Sequence, residues 1–127
     1  MLTTMDPAEL ARAWRRRDAE EAASAVATSA ALRERAIRAA ASLVERFGVG
    51  RVILFGSVVR GAATDSSDVD LAVEGLPPCR QFAAMADAEA VIGRPVDLVR
   101  IEEATPTLLG RIVEDGEVLF DGGPPAP

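Results

Sequence analysis

Two aspartates, Asp68 and Asp70, sit one residue apart where a polar stretch turns into an apolar run, in LFGSVVRGAATDSSDVDLAV over residues 54–73. Burying a charged carboxylate is costly unless something pairs with it. Alternate residues of a strand face the same side, so Asp68 and Asp70 would point together with Cα atoms about 6–7 Å apart, while Val69 and Leu71 face a core. Like charges held this way repel, and a cation between them removes the repulsion. Two Mg²⁺ ions about 3.5–4 Å apart share such ligands and stabilise both the attacking and the leaving oxygen in phosphoryl or nucleotidyl transfer. Mg²⁺ takes only one or two protein carboxylates and lets substrate phosphates complete its shell. A third carboxylate, Asp97, lies inside the apolar segment PVDLV. On a shared sheet face it would stand beside the other two, ligate one metal and take the proton from an attacking hydroxyl.

Gly56-Ser57 directly follows the apolar run RVILF. Glycine lets a backbone approach a phosphate closely, and the N–H groups of a turn that opens a helix attract anions. Ser57 adds a hydroxyl donor. Arg60 is near enough in sequence to reach the same phosphates, where its forked donors fit.

Composition removes most competing chemistries. The chain has no histidine and no tyrosine, and all 14 basic residues are arginine. Without histidine there is no Ser-His-Asp or Cys-His machinery and no His-ligated zinc. Without lysine there is no Walker lysine, Schiff base or lysyl-adenylate. Carboxylates, hydroxyls, backbone N–H groups and arginine are left, a set suited to hard divalent metals and phosphates. A net charge of −6 argues against direct nucleic-acid binding. Arginine is nevertheless concentrated in RAWRRRD and LRERAIR, which leaves room for a local basic face in the first forty residues. The single cysteine, Cys79, excludes an internal disulfide framework and fits a reducing cytoplasm; it reads as a helix-start residue. No secretory signal and no membrane span are read.

The elements that must position these groups follow from periodicity. Asp6-Pro7-Ala8-Glu9 resembles a capping box. From there to Phe47 the pattern is helical. Leu32, Ala36, Leu43 and Phe47, with Ile37, Ala40 and Val44, form an apolar stripe, and Gly48 is a C-terminal cap. The weak propensity of SAVATSA allows one long helix or two over residues 6–47. Trp14 marks the early helix either as a docking element or as part of its own domain. Strands are expected at residues 51–55, 69–73, 96–99 and 118–120, with VVRGAA carrying one helical turn. A helix over residues 80–92 would turn Phe82, Met85, Ala86 and Ile92 inward, and one from Pro106 to about Glu114 would bury Leu108, Leu109, Ile112 and Val113. The tail GGPPAP is expected to be disordered. Alternating strands and helices make this an α/β (α+β) domain with a small sheet.

Singly these signals are weak. DSSD is common loop chemistry, a strand followed by Gly-Ser is commoner still, and Asp97 would serve as an edge-strand charge that blocks aggregation. Together they form Gly-Ser, ten residues, Asp-x-Asp, and a third aspartate in an apolar strand. In this the chain resembles the DNA polymerase β-like nucleotidyltransferases. It is most similar to their minimal members, the MNT antitoxins encoded beside HEPN ribonuclease toxins. The resemblance covers about Leu32 to Asp121 and implies a small mixed sheet with flanking helices. It further implies that Gly56 and Ser57 hold a nucleotide triphosphate. Asp68 and Asp70 would bind Mg²⁺, two ions in all, with Asp97 as the third acidic residue. Arg60-Gly61 matches the Arg-Gly that usually follows the turn. The resemblance implies a catalytically competent antitoxin that moves AMP from ATP to a tyrosine hydroxyl of a HEPN toxin. Two alternatives stand beside it: an antitoxin that neutralises by binding alone, and an aminoglycoside-type nucleotidyltransferase. The chain divides into an N-terminal helical extension (1–30), the nucleotidyltransferase domain (31–121) and the tail (122–127). The extension exceeds what minimal members carry and is a candidate surface for homo-oligomers.

Overall fold

The computed structural model describes residues 4–123. The last four residues of the tail therefore lie outside the described part. One unbroken 41-residue helix, α1 (Pro7–Phe47), opens the chain. Asp6 caps it by accepting from the Ala8 N–H, Pro7 fills the first turn, and Gly48 at φ +67° ends it by donating to the Val44 carbonyl. The Val, Thr and Ser of SAVATSA do not break it, because propensity differences of a few tenths of a kcal/mol per residue are small against a long alanine-rich helix.

The sheet contains β1 (Arg51–Phe55), β2 (Val69–Glu74), β3 (Val96–Arg100) and β4 (Glu117–Asp121) in the order β3-β2-β1-β4. β1 pairs antiparallel with β2 and β4, and β2 pairs parallel with β3. A parallel pair needs a crossover of about a dozen residues. Here it is α2 (Gln81–Ile92), entered through a 3₁₀ turn at Pro78–Arg80 that leaves Cys79 exposed. α3 (Pro106–Asp115) links β3 to β4, with Thr105 capping it through the Leu108 N–H.

Strand alternation divides the core between two faces. Val52, Leu54, Val69, Leu71, Val73, Val96 and Leu98 meet α1 and α2 on one side. Phe55 and Ala72, with Ile53 and Val99, meet Ile112 and Leu108 of α3 on the other. Leu32, Ala36, Ala39, Ala40 and Leu43 of α1 bury as the stripe requires, with Val44 and Phe47 partly covered, but Ile37 stays exposed. Small side chains, Ala84 and Ala88 on α2 and Ala36, Ala39 and Ala40 on α1, fill the contact between these helices.

Three side chains expected inward, Phe82, Ala86 and Val113, face outward instead. On α2 the buried stripe is Ala84, Ala88 and Ile92, with Met85 only partly covered; Phe82 is 81% exposed and Ala86 is exposed as well. Phe82 lies two residues from Ala84, about 200° around the helix, so burying one turns the other out. On α3, Ile112 is buried and Leu108 and Leu109 are half-buried, but Val113 is 83% exposed.

Leu54→Ala is expected to lower stability by about 2–5 kcal/mol in denaturant unfolding, because Leu54 is fully enclosed. Phe82→Ser should stay within about 0.5 kcal/mol of the parent protein.

Candidate functional site

The loop from Ser57 to Asp68 carries the chain back across the end of the sheet, and several bonds fix it. Val58 and Ala63 are buried, and the Ala63 N–H donates to the Oγ of buried Ser29 on α1 at 2.9 Å. The turn after β1 is closed by Arg60 N–H to the Gly56 carbonyl (3.3 Å) and Ala62 N–H to the Ser57 carbonyl (2.9 Å). The first of these is an i→i−4 bond, a single helical turn that is not continued into a helix. Arg94 clamps the far end of the loop by donating to the carbonyls of Thr64 (3.0 Å) and Ser67 (2.6 Å). Asp68 is thereby presented, exposed, one residue before β2 begins.

Parallel pairing sets Asp70 directly across from Asp97. Residues in direct register share a face, and this is the face that also carries Phe55, Ala72 and α3. Asp97 therefore stands beside Asp70, while Asp68, expected to point with Asp70 from the same strand, precedes the strand. Asp70 is also the register partner of Phe55, so it stands over the Gly56 turn. Gly56 has φ +83°, and a Cβ there would lie 2.2 Å from Asp70 Oδ2. Only glycine lets the turn and the carboxylate approach this closely.

The electrostatics reflect that crowding. Burial pushes the Asp70 carboxyl above the ordinary aspartate range, and the charges of Asp97 and Asp68 push it the same way. Arg111 and Arg60 oppose the shift. Arg60 is held by Asp115 at 2.9 Å, which ties the turn to the C-terminal end of α3. Arg111 and Asp115 are four residues apart on α3 and so share one side of it. Arg111 and Arg60 thus both flank the carboxylates. Arg111 carries no signal of this role in the sequence, because α3 is folded against β1 from more than fifty residues away.

Among the described residues, no three Asp, Glu, Cys or His side chains converge as a ready-made metal cage. The donor set still fits Mg²⁺. It offers hard oxygens only, and a crowded pair such as Asp70 and Asp97 leaves most of the coordination shell to substrate phosphates.

Residues 39–123 match the family model described as polymerase beta, nucleotidyltransferase. A protein adenylyltransferase, MntA, of Thermococcus cleftensis is 47% identical over 60 residues, covering 45% of this chain and 61% of that protein. The chain thus matches less than two thirds of this relative's length. A solved structure of a proposed minimal nucleotidyltransferase aligns with TM-score 0.59 and 33% identity over 70% of this chain and 93% of the other. A toxin–antitoxin structure with AMP-PNP shares the fold at TM-score 0.61 and 23% identity, over 67% of this chain and 73% of that one.

Two outcomes follow from this geometry. Gly56→Ala is expected to cost about 1–3 kcal/mol from the left-handed backbone alone. Part of its total cost should vanish in an Asp70→Ala background, a non-additivity that a double-mutant cycle reads directly. The second concerns pH. Because the Asp70 carboxyl is raised, its ionised form opposes folding above the unfolded value of 3.8. That opposition is relieved as pH falls through the raised value. Asp70→Asn should therefore raise Tm at neutral pH in metal-free buffer, and the gain should shrink to nothing in acid.

Proposed function

The chain belongs to the polymerase β nucleotidyltransferase family, and from that premise we propose that it is a Mg²⁺-dependent protein adenylyltransferase acting as an antitoxin. The observation that carries the reading is the Asp70–Asp97 register with Gly56 packed against Asp70. It joins a carboxylate pair to a glycine turn at one end of the sheet. Asp68, Asp70 and Asp97 would hold Mg²⁺, which when bound neutralises charge building up on the triphosphate. Gly56 and Ser57 seat the triphosphate of ATP against the turn. Arg60, positioned by Asp115, and Arg111 supply the cationic donors that lysine provides elsewhere. Asp97 is exposed, so an incoming hydroxyl can reach it. It accepts the hydroxyl proton as the new O–Pα bond forms and the bond from Pα to the pyrophosphate oxygen breaks.

The acceptor is read as a tyrosine hydroxyl of a HEPN-type toxin. Asp68 and Asp97 are exposed at the sheet's end, an opening that suits a protein acceptor bringing its own binding surface. AMP carries a phosphate, and adding it near an RNase active site would repel RNA. Such a pair would work in the cytoplasm. No helix among the described residues is long and apolar enough to cross a membrane.

Asp70→Asn is expected to keep the fold, by far-UV circular dichroism, and to reduce AMP transfer to the toxin by more than about a hundredfold. In cells expressing that toxin, rescue of growth should be lost. Unchanged rescue by Asp70→Asn would instead assign neutralisation to binding alone. Aminoglycoside-dependent ATP turnover with no protein acceptor would identify the drug-modifying alternative.

A further inference from the structure

No residue of α1 before Ser29 is buried. At 1.5 Å per residue the 41-residue helix is about 60 Å long, so roughly half of it extends beyond the domain. In proteins most helical stability comes from packing an amphipathic face, and this segment buries no residue of its own. Its exposed side chains are not those of a solvated spacer. Leu10 and Trp14 are four residues apart on one side, are 46% and 57% exposed, and form a shallow groove with Met5, Ala13 and Arg17.

The charge order along this segment selects what covers it. Arg12, Arg15, Arg16 and Arg17 form a basic block, and Asp18, Glu20 and Glu21 follow at once as an acidic one. A parallel copy would set like on like. An antiparallel copy sets the basic block of each helix against the acidic block of the other, and does so twice because the contact is two-fold symmetric. Pairing centred between Arg17 and Asp18 places Leu10 opposite Ala25 and Pro7 opposite Thr28. Ala25 and Thr28 line a hollow at the foot of the overhang, with Glu21, Ser24, Ala63, Thr64 and Asp65. The first turn of the partner helix would end there.

We infer that the overhanging half of α1 pairs antiparallel with the same segment of a second copy of this chain, closing a homodimer. The pairing is isologous, so it stops at two chains and leaves no free end. It stands apart from the AMP-transfer reading, since none of the site residues lies on this segment.

Trp14 is the only tryptophan in the chain, so its fluorescence reports the contact directly. Full-length protein is expected to sediment as two chains at high micromolar concentration, with blue-shifted emission and reduced acrylamide quenching that both reverse on dilution. Trp14→Glu should give a monomer with an intact domain. Reversing the basic block to glutamate, or the acidic block to arginine, should each give monomers, and an equimolar mixture of the two should dimerise again. A monomer with fully quenchable Trp14 at all concentrations overturns the inference. So does Trp14 that becomes protected only when the HEPN-type protein is added, which would assign the surface to that partner.

Discussion

The rest of the structure is arranged around one electrostatic constraint: Asp70 is half-buried beside Asp97, with no lysine or histidine to neutralise either. A carboxylate in that position raises the free energy of the empty protein, and strand pairing on both sides of β2 holds it there. Parallel β2–β3 pairing fixes the two aspartates in register, and α2 exists in its place because such a pairing cannot be closed by a tight turn. The larger hydrophobic core lies on the face opposite the site, packed on α1 and α2, while a smaller one beside the site packs Phe55 and Ala72 on α3.

The same constraint explains the glycine. β1 runs antiparallel to β2, so its end must arrive next to Asp70, and any side chain there would collide with the carboxylate. The turn that results is the feature able to accept phosphate, and the crowded carboxylates are the feature able to accept a divalent cation. Under the proposed function both demands would be met by one substrate, a nucleoside triphosphate with its metal. The two arginines on this side, one on the turn and one on α3, already oppose the negative charge of the empty site. Under the proposed function they would follow that charge as it moves onto a leaving pyrophosphate.

The fold was legible where local chemistry and periodicity agree. All four strands, the Asp6 and Thr105 caps and the glycine stops could be read directly, since each depends on a few neighbouring residues. The carboxylate and glycine positions were legible for a similar reason: charged residues in apolar strands violate the pattern of their surroundings. Helix orientation was harder. α2 is alanine-rich on every side, so its sequence holds little information about which face turns inward, and Phe82 misleads because it is the largest residue present. Arg111 and Asp115 could not be assigned at all from sequence, because their proximity to the turn arises from α3 packing on a strand far upstream. The continuity of α1 was a third gap, since propensities alone do not decide whether a helix survives a short weak stretch.

The central claim is that the carboxylate pair and the glycine turn form a single transfer site acting on a protein hydroxyl. It is tested most directly by the intact mass of a HEPN-type toxin supplied as acceptor, after incubation with this chain, Mg²⁺ and ATP. The account predicts a mass increase in whole units of AMP, absent when Mg²⁺ is chelated. An unchanged mass, with the two proteins bound to each other and ATP unconsumed, would contradict it.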